Sequence, residues 1–345
     1  MEEKFLNVSV SPHLHSPVTT TRLMGDVLIA MVPALIYAVW LYGFSALLMT
    51  AVSVVACVFF EWLSRRIMKR PGTIGDLSAA VTGVLLAFCL PANMPLYMVV
   101  VGDFVAIVIA KQFFGGIGMN FVNPALIGRI ALSVSFAKAV AGVPKLSQSA
   151  AAVAAGFTAG DAVSSASPMQ IMKGLVMEGH LNDISQANLV NWKGAILGLH
   201  TGSIGEVSII CLLIGLIYLL WRGVITWIIP VIYVASTFVL ALLYSGNIMY
   251  AITSLLSGGL FLGAIFMATD YTTSPVTPKG KTIFALGCGF LTATIRYFGG
   301  MPEATAYSIV IMNLFVPYIN GITIPLPFGV IKVKKRDAKK AAATK

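Results

Sequence analysis

The chain has 345 residues, of which 58% are hydrophobic and only 10% charged, and its mean hydropathy of +0.89 excludes an ordinary soluble domain. The net charge of +10 does not point to nucleic acid, because much of it lies in two short blocks, Arg65-Arg66-Ile67-Met68-Lys69-Arg70 and the tail from Lys332 to Lys345. Beside apolar segments such blocks are positive-inside topology signals, and the whole reads as an all-α polytopic membrane protein in a lipid bilayer.

Residues 1–22 are polar and lack an apolar h-region, so a cytoplasmic N-terminal segment without a cleavable signal is expected. A span needs about 20 apolar residues. On that rule transmembrane helices fall near 23–42, 44–63, 76–91, 94–112, 121–140, 203–221, 224–243, 250–268, 282–298 and 303–319, about ten in all. They form two five-helix halves, 23–140 and 203–319, separated by the segment 141–202 and followed by a basic cytoplasmic tail, 320–345. With a cytoplasmic N-terminus, the Arg65–Arg70 loop, Arg222, Lys279, Lys281 and the tail fall inside, and 141–202 is extracytoplasmic.

Within the first half, Val81-Thr82-Gly83 opens a run that continues to Phe114-Gly115-Gly116. Leu256-Ser257-Gly258 opens a second run that continues to Phe298-Gly299-Gly300. Five helices per half set the two Phe-Gly-Gly turns on opposite faces, which is the pattern of an inverted-topology repeat. Gly115-Gly116-Ile117-Gly118-Met119-Asn120-Phe121-Val122-Asn123-Pro124-Ala125 is too rich in glycine for regular helix. It is either a cytoplasmic turn or a re-entrant, broken element lining a site.

Asp103 and Arg129 lie inside predicted spans, where an isolated charge costs at least about 2.5 kcal/mol. Neighbouring antiparallel helices bring them to similar depth, so an ion pair is expected, either a structural lock or part of an ion path. Glu206 and His200 fall at the outer mouth of the span beginning at 203: the first reads as a helix-start carboxylate, the second as a solvated loop residue. Arg296, beside Phe298-Gly299-Gly300, is near an outer face where a basic side chain can snorkel. Cys57, Cys89, Cys211 and Cys288 sit in apolar spans without a CxxC spacing or a histidine partner, and read as small packing residues rather than disulfide or metal ligands.

The segment 141–202 contains Asp161-Ala162-Val163-Ser164-Ser165-Ala166-Ser167-Pro168. Locally this is a helix start, with Ser167 suited to the N-cap and Pro168 to the first helical position. An N-cap hydroxyl also sits where orphan amides and the helix dipole favour a phosphate. The pattern Asp-x-x-Ser-Ser-Ala-Ser resembles the flavinylation motif of the membrane subunits of the Rnf and sodium-pumping NADH:quinone reductase complexes, with Ser where Thr is commoner. Other stretches resemble the same family: Ser11-Pro12-His13, Asn123-Pro124-Ala125, Gly202-Ser203-Ile204-Gly205-Glu206 and Thr269-Asp270-Tyr271-Thr272-Thr273-Ser274-Pro275. Their order, more than any one of them, carries the likeness.

The resemblance implies that a flavin transferase joins FMN covalently through its phosphate to Ser167, recognising Asp161, Ser164 and Ala166. It further implies a second, non-covalent flavin such as riboflavin within the bundle, and a contact of Arg296 with a flavin. The expected setting is the bacterial cytoplasmic (inner) membrane, in a complex passing electrons between ferredoxin and NAD and coupling them to Na⁺ or H⁺ translocation. NAD and ferredoxin then bind partner subunits (C, G, E, A and B of such a complex), since this chain has neither GxGxxG after a strand nor a P-loop. The compact N-terminal segment favours the Rnf D-subunit branch over the quinone-reductase B-subunit branch. Without the Asp161–Ser167 motif, the broken helices and buried charges alone would read as a flavin-free secondary transporter or channel.

Overall fold

The computed structural model describes residues 18–142, 172, 174, 176–177, 202–206, 208–299 and 304–325. Among them all regular structure is helical. Helices α1 (Thr20–Tyr42) and α2 (Phe44–Ile67) meet at Gly43, and a 3-10 turn at Ile74–Asp76 leads into α3 (Ser78–Phe88). Helix α4 (Leu96–Phe104) runs on as a π-helix over Val105–Gln112; α5 (Pro124–Ser135) and the single turn α6 (Ala137–Val140) follow. After a 3-10 turn at Ile204–Glu206 come α7 (Ile209–Trp221), α8 (Ile228–Ser245) and α9 (Ile248–Leu256). The short α10 (Leu260–Leu262) passes into a π-helix at Gly263–Met267, before α11 (Pro278–Phe298) and α12 (Thr305–Thr323).

Helix starts follow capping chemistry. Asn123 accepts from the amide of Ala125 with Pro124 in the first turn, Thr277 accepts from Gly280 with Pro278, and Ser208 and Asn247 cap α7 and α9. Helices α1, α2, α8 and α12 are long and apolar enough to cross a membrane, and α9 with the α10–π segment, bent by 59° at its break, is a broken span or a re-entrant element. The chain is therefore a multi-pass membrane protein.

Several expected spans differ in form. The run 76–91 is helical only from Ser78 to Phe88, because Pro91 and Pro95 follow closely and proline cannot continue a helix. The run 121–140 starts at Pro124 and breaks at Phe136. The run 250–268 is not one helix: it breaks at Ser257-Gly258-Gly259, where the glycines hold φ of 79° and 64°, a backbone that Gly adopts without a Cβ penalty. The stretch from Gly115 to Asn123 is a turn, with Gly115, Gly116 and Gly118 all at positive φ.

Close approach of helices rests on small residues. A Cβ at Gly83 would come within 2.8 Å of Val54 Cα, so α3 lies directly against α2, and Ser53 Oγ donates to Gly83 O at 2.9 Å. The two halves share one apolar core, to which Phe88, Leu126, Tyr233, Phe266 and Phe284 contribute. Polar ties cross between them, Ile204 N to Leu90 O at 3.0 Å and Arg222 Nη2 to Asp26 Oδ2 at 3.1 Å, and Tyr42 Oη donates to Gly202 O at 3.1 Å just before the second half.

Candidate functional site

Asp103 and Arg129 are not partners. Helices α4 and α5 meet through their glycines: a Cβ at Gly128 would lie 2.8 Å from Gly102 O, and one at Gly102 would lie 2.5 Å from the Leu132 side chain. The next residue on each helix is turned about 100° away from that seam. Asp103 therefore points at α2, where its Oδ1 accepts from Ser53 Oγ at 2.6 Å and from Cys57 Sγ at 3.2 Å, while its Oδ2 is buried without a partner. Cys57 thus serves as a donor and not merely as packing. Arg129 faces the opposite way, into a cavity shared with Cys89, Ser203, Glu206, Gly258 and Gly259.

That cavity adjoins the break between α9 and α10, and Arg296 explains how the break survives in an apolar interior. Arg296 is buried, not snorkelling at an outer face. Its Nη1 donates to Ser254 O and, at 3.2 Å, to Ser254 Oγ; its Nη2 donates to Gly258 O at 2.8 Å, Ser257 O at 3.3 Å and Thr305 Oγ1 at 3.3 Å. Carbonyls freed by the break would otherwise go without hydrogen bonds at membrane depth, and one guanidinium satisfies three of them. Glu206 does not cap α7, whose N-cap is Ser208. It closes the 3-10 turn, and its Oε2 accepts from Ser203 N at 3.4 Å.

The most elaborate polar group is one that the sequence-based expectations do not include. Glu61 on α2 and Lys111 on the π-helix are both almost fully buried; Lys111 Nζ lies 3.1 Å from each carboxylate oxygen. Gln112 Nε2 at 2.9 Å and Thr73 Oγ1 at 2.9 Å complete the shell of Glu61 Oε1, and Lys111 also donates to Ser78 Oγ at 2.6 Å. The signal was present: both are ionisable residues inside apolar runs, 44–63 and 94–112, yet near enough to the ends to look solvated.

Lys111 and Ser78 form part of the wall of a narrow cleft with a cavity of about 80 Å³. Its apolar side is Val81, Leu85, Leu219, Ile265 and Phe266; its polar side includes Asn120, Asn123, Asp270 and Thr272. Asn120 Nδ2 donates to Thr272 Oγ1 at 3.1 Å, and Asn123 Nδ2 to Met267 O at 3.3 Å, tying the turn before α5 to the loop after the second π-helix. Asp270 Oδ2 accepts from Thr272 Oγ1 at 3.0 Å and Thr273 Oγ1 at 3.1 Å; burial pushes its carboxyl up from the ordinary carboxylate range, and these hydrogen bonds pull the other way. Asn-Pro-Ala and Thr-Asp-Tyr-Thr-Thr, far apart in sequence, are thus two walls of one cleft.

Asp161, Ser164, Ala166 and Ser167 lie outside the described residues, as does His200. Met172, shortly after the motif, is described: it is fully buried against Ala241, Tyr250 and Ala251, beside Tyr297. There Tyr244, Tyr250, Tyr297 and Phe298 form a ring cluster with centroids 4.9 to 5.9 Å apart.

Residues 7–329 match the model of the NQR2, RnfD, RnfE family. The chain is 42% identical, over 97% of its length and 99% of the relative's, to the D subunit of the Na(+)-translocating ferredoxin:NAD(+) oxidoreductase complex of Acetobacterium woodii. It is 38% identical to the D subunit of the proton-translocating ferredoxin:NAD(+) oxidoreductase complex of Clostridium ljungdahlii, covering 95% of this chain and 98% of that one. Identity is 31% to the D subunit of the ion-translocating oxidoreductase complex of Escherichia coli, over 93% and 98% of the two chains.

Proposed function

The chain belongs to the NQR2, RnfD, RnfE family, and from that premise we propose that it is the D subunit of an ion-translocating ferredoxin:NAD⁺ oxidoreductase complex. The observation that carries this is likeness across the full length: subunits named D at 42% and 38% identity, each covered almost end to end. Those two relatives are named for different ions, so overall similarity does not choose between Na⁺ and H⁺. The other Rnf subunits are its partners, and they supply the sites for ferredoxin and NAD.

The proposal includes ten crossings in two inverted five-helix halves, in the cytoplasmic membrane. In its favour, the order α3, α4, Phe-Gly-Gly, α5 matches the order α9–α10, α11, Phe-Gly-Gly, α12. Arg65, Arg66, Lys69 and Arg70 at the end of α2, Arg222 after α7 and Lys279 at the start of α11 mark the cytoplasmic side. The segment holding Ser167 is then extracytoplasmic.

Ser167 carries FMN through a phosphoester, with Asp161, Ser164 and Ala166 as the transferase's recognition positions. A bound flavin supplies one- and two-electron transfer. Met172, five residues beyond Ser167, is buried against Ala241, Tyr250 and Ala251, beside the aromatic cluster. The non-covalent flavin belongs in the cleft between Asn120 and Thr272. A flat ring system with one polar imide edge suits apolar walls from Val81, Leu85 and Phe266, faced by side-chain amides that both donate and accept.

Co-expression with the flavin transferase tests both sites in one preparation. In-gel flavin fluorescence after denaturing electrophoresis is expected in wild type and absent in Ser167→Ala. Flavin released by denaturation is expected to be lost in Asn120→Leu, whose covalent fluorescence persists. Wild-type protein without covalent fluorescence, made beside a transferase active on another substrate, overturns the flavin assignment at Ser167.

A further inference from the structure

The basic residues that mark the cytoplasmic end of α2 also form a pocket. Trp62, Arg65, Arg66, Lys69, Arg70 and Ile74 line a cavity of about 520 Å³. No carboxylate lines it, and Glu61, one turn earlier, is consumed by Lys111, Gln112 and Thr73. The backbone is bent to gather these charges. Lys69 adopts φ 52°, and Arg70 N bonds back to Arg65 O at 3.0 Å and Lys69 N to Arg66 O at 3.3 Å, a left-handed helix stop normally made by glycine. Lysine there costs roughly 1–2 kcal/mol of backbone energy, so a cation is kept at a position where local stability favours glycine.

Two of the cations are anchored. Arg65, 8% exposed, donates through Nη2 to Gly115 O at 3.4 Å, while its buried Nε has no partner; Arg70 Nη1 donates to Gln112 O at 3.3 Å. Arg66 and Lys69 are exposed, and among the described residues neither has an acidic partner. The pocket also has a direction. Val55, Phe59 and Trp62 are 68%, 51% and 45% exposed; at spacings of four and three residues they share one face of α2, and Arg66 continues that face at its end. An exposed apolar stripe of about 10 Å at 1.5 Å per residue, leading into cations that have no acidic partner among the described residues and with an indole at the junction, is the profile of an amphiphile lying along the helix.

We propose that this pocket binds the phosphate of an anionic membrane lipid, its acyl chains lying along Val55, Phe59 and Trp62. The stripe is what distinguishes a lipid from an acidic protein segment, which needs no exposed apolar face leading into the cations.

The full-length protein in neutral detergent is titrated with palmitoyl-oleoyl phosphatidylglycerol, with phosphatidylcholine of the same chains, and with glycerol 3-phosphate, and bound molecules are counted by native mass spectrometry. Phosphatidylglycerol is expected to outbind phosphatidylcholine at least roughly tenfold, and to weaken roughly fivefold for each basic residue removed in R66Q/K69Q, the factor that corresponds to about 1 kcal/mol per basic residue near an anionic surface. K279Q/K281Q, which removes the same charge elsewhere, should change it by less than about twofold on the same basis. Lys69→Gly separates binding from folding: glycine suits the left-handed turn, so the melting temperature should rise while phosphatidylglycerol binding falls. Equal binding of the two lipids, or equal loss in both double variants, overturns the site. Glycerol 3-phosphate binding as tightly as the lipid reduces it to a small-anion site, and displacement of the lipid by an equal concentration of a glutamate-rich peptide reassigns it to an acidic protein.

Discussion

Glu61 and Lys111 illustrate what a single buried charge demands. Each is desolvated, and each is tolerated because the other lies 3.1 Å away inside a shell of Gln112, Thr73 and Ser78. Removing one partner strands the other, so Glu61→Gln and Lys111→Met are each expected to cost about 3–5 kcal/mol. The double variant should recover much of that loss, because no unpaired ion remains. Thermal unfolding of the detergent-solubilised protein reads this directly, and strictly additive losses would show that the two charges are not coupled. Asp103 teaches the complementary lesson. Its depth was legible from the apolar run around it, but its partners were not, because a rotation of about 100° per residue decides which neighbouring helix a side chain meets. That rotation sent Asp103 to Ser53 and Cys57 and left Arg129 to the cavity beside Glu206.

At the scale of the helices, contact depends on residues without side chains. Gly83 lets α3 touch α2, and a methyl group there would meet Val54 Cα at 2.8 Å and Ser53 O at 2.9 Å, both backbone atoms that cannot swing aside. Gly83→Ala is therefore expected to destabilise by about 1–3 kcal/mol. Gly72→Ala, with nothing within 4 Å of its added carbon, should be near neutral by the same melting assay. A silent Gly83→Ala would mean that α2 and α3 can separate without loss. The α9–α10 break shows an element that composition conceals: Leu256-Ser257-Gly258-Gly259-Leu260 is apolar enough to read as continuous helix, and only the reach of Arg296 to Ser254 O, Ser257 O and Gly258 O makes the interruption tolerable. Arg296, distant in sequence, gives no local hint of that role.

For the whole molecule the proposed orientation can be checked without any flavin. Lys69, after α2, and Lys138, in α6, stand at opposite ends of the helices that connect them. An impermeant maleimide should label Lys138→Cys in intact cells and Lys69→Cys only after permeabilisation. The reverse pattern would invert the topology and put the segment containing Ser167 on the wrong side for an extracytoplasmic transferase.

The membrane character, the positions of the apolar runs and the family were all contained in the chain itself, because hydropathy and short ordered motifs survive without coordinates. Helix starts at Asn123-Pro124 and Thr277-Pro278 were equally local, being set by a side chain and an amide two or three residues away. What tertiary structure alone decided was partnership: Glu61 with Lys111, Arg296 with the broken helix, and Asn120 with Thr272 across 152 positions of sequence. In an apolar interior every polar group must find a mate among whatever helix packing brings near, and that choice is made by rotation and register, which no one stretch of sequence contains.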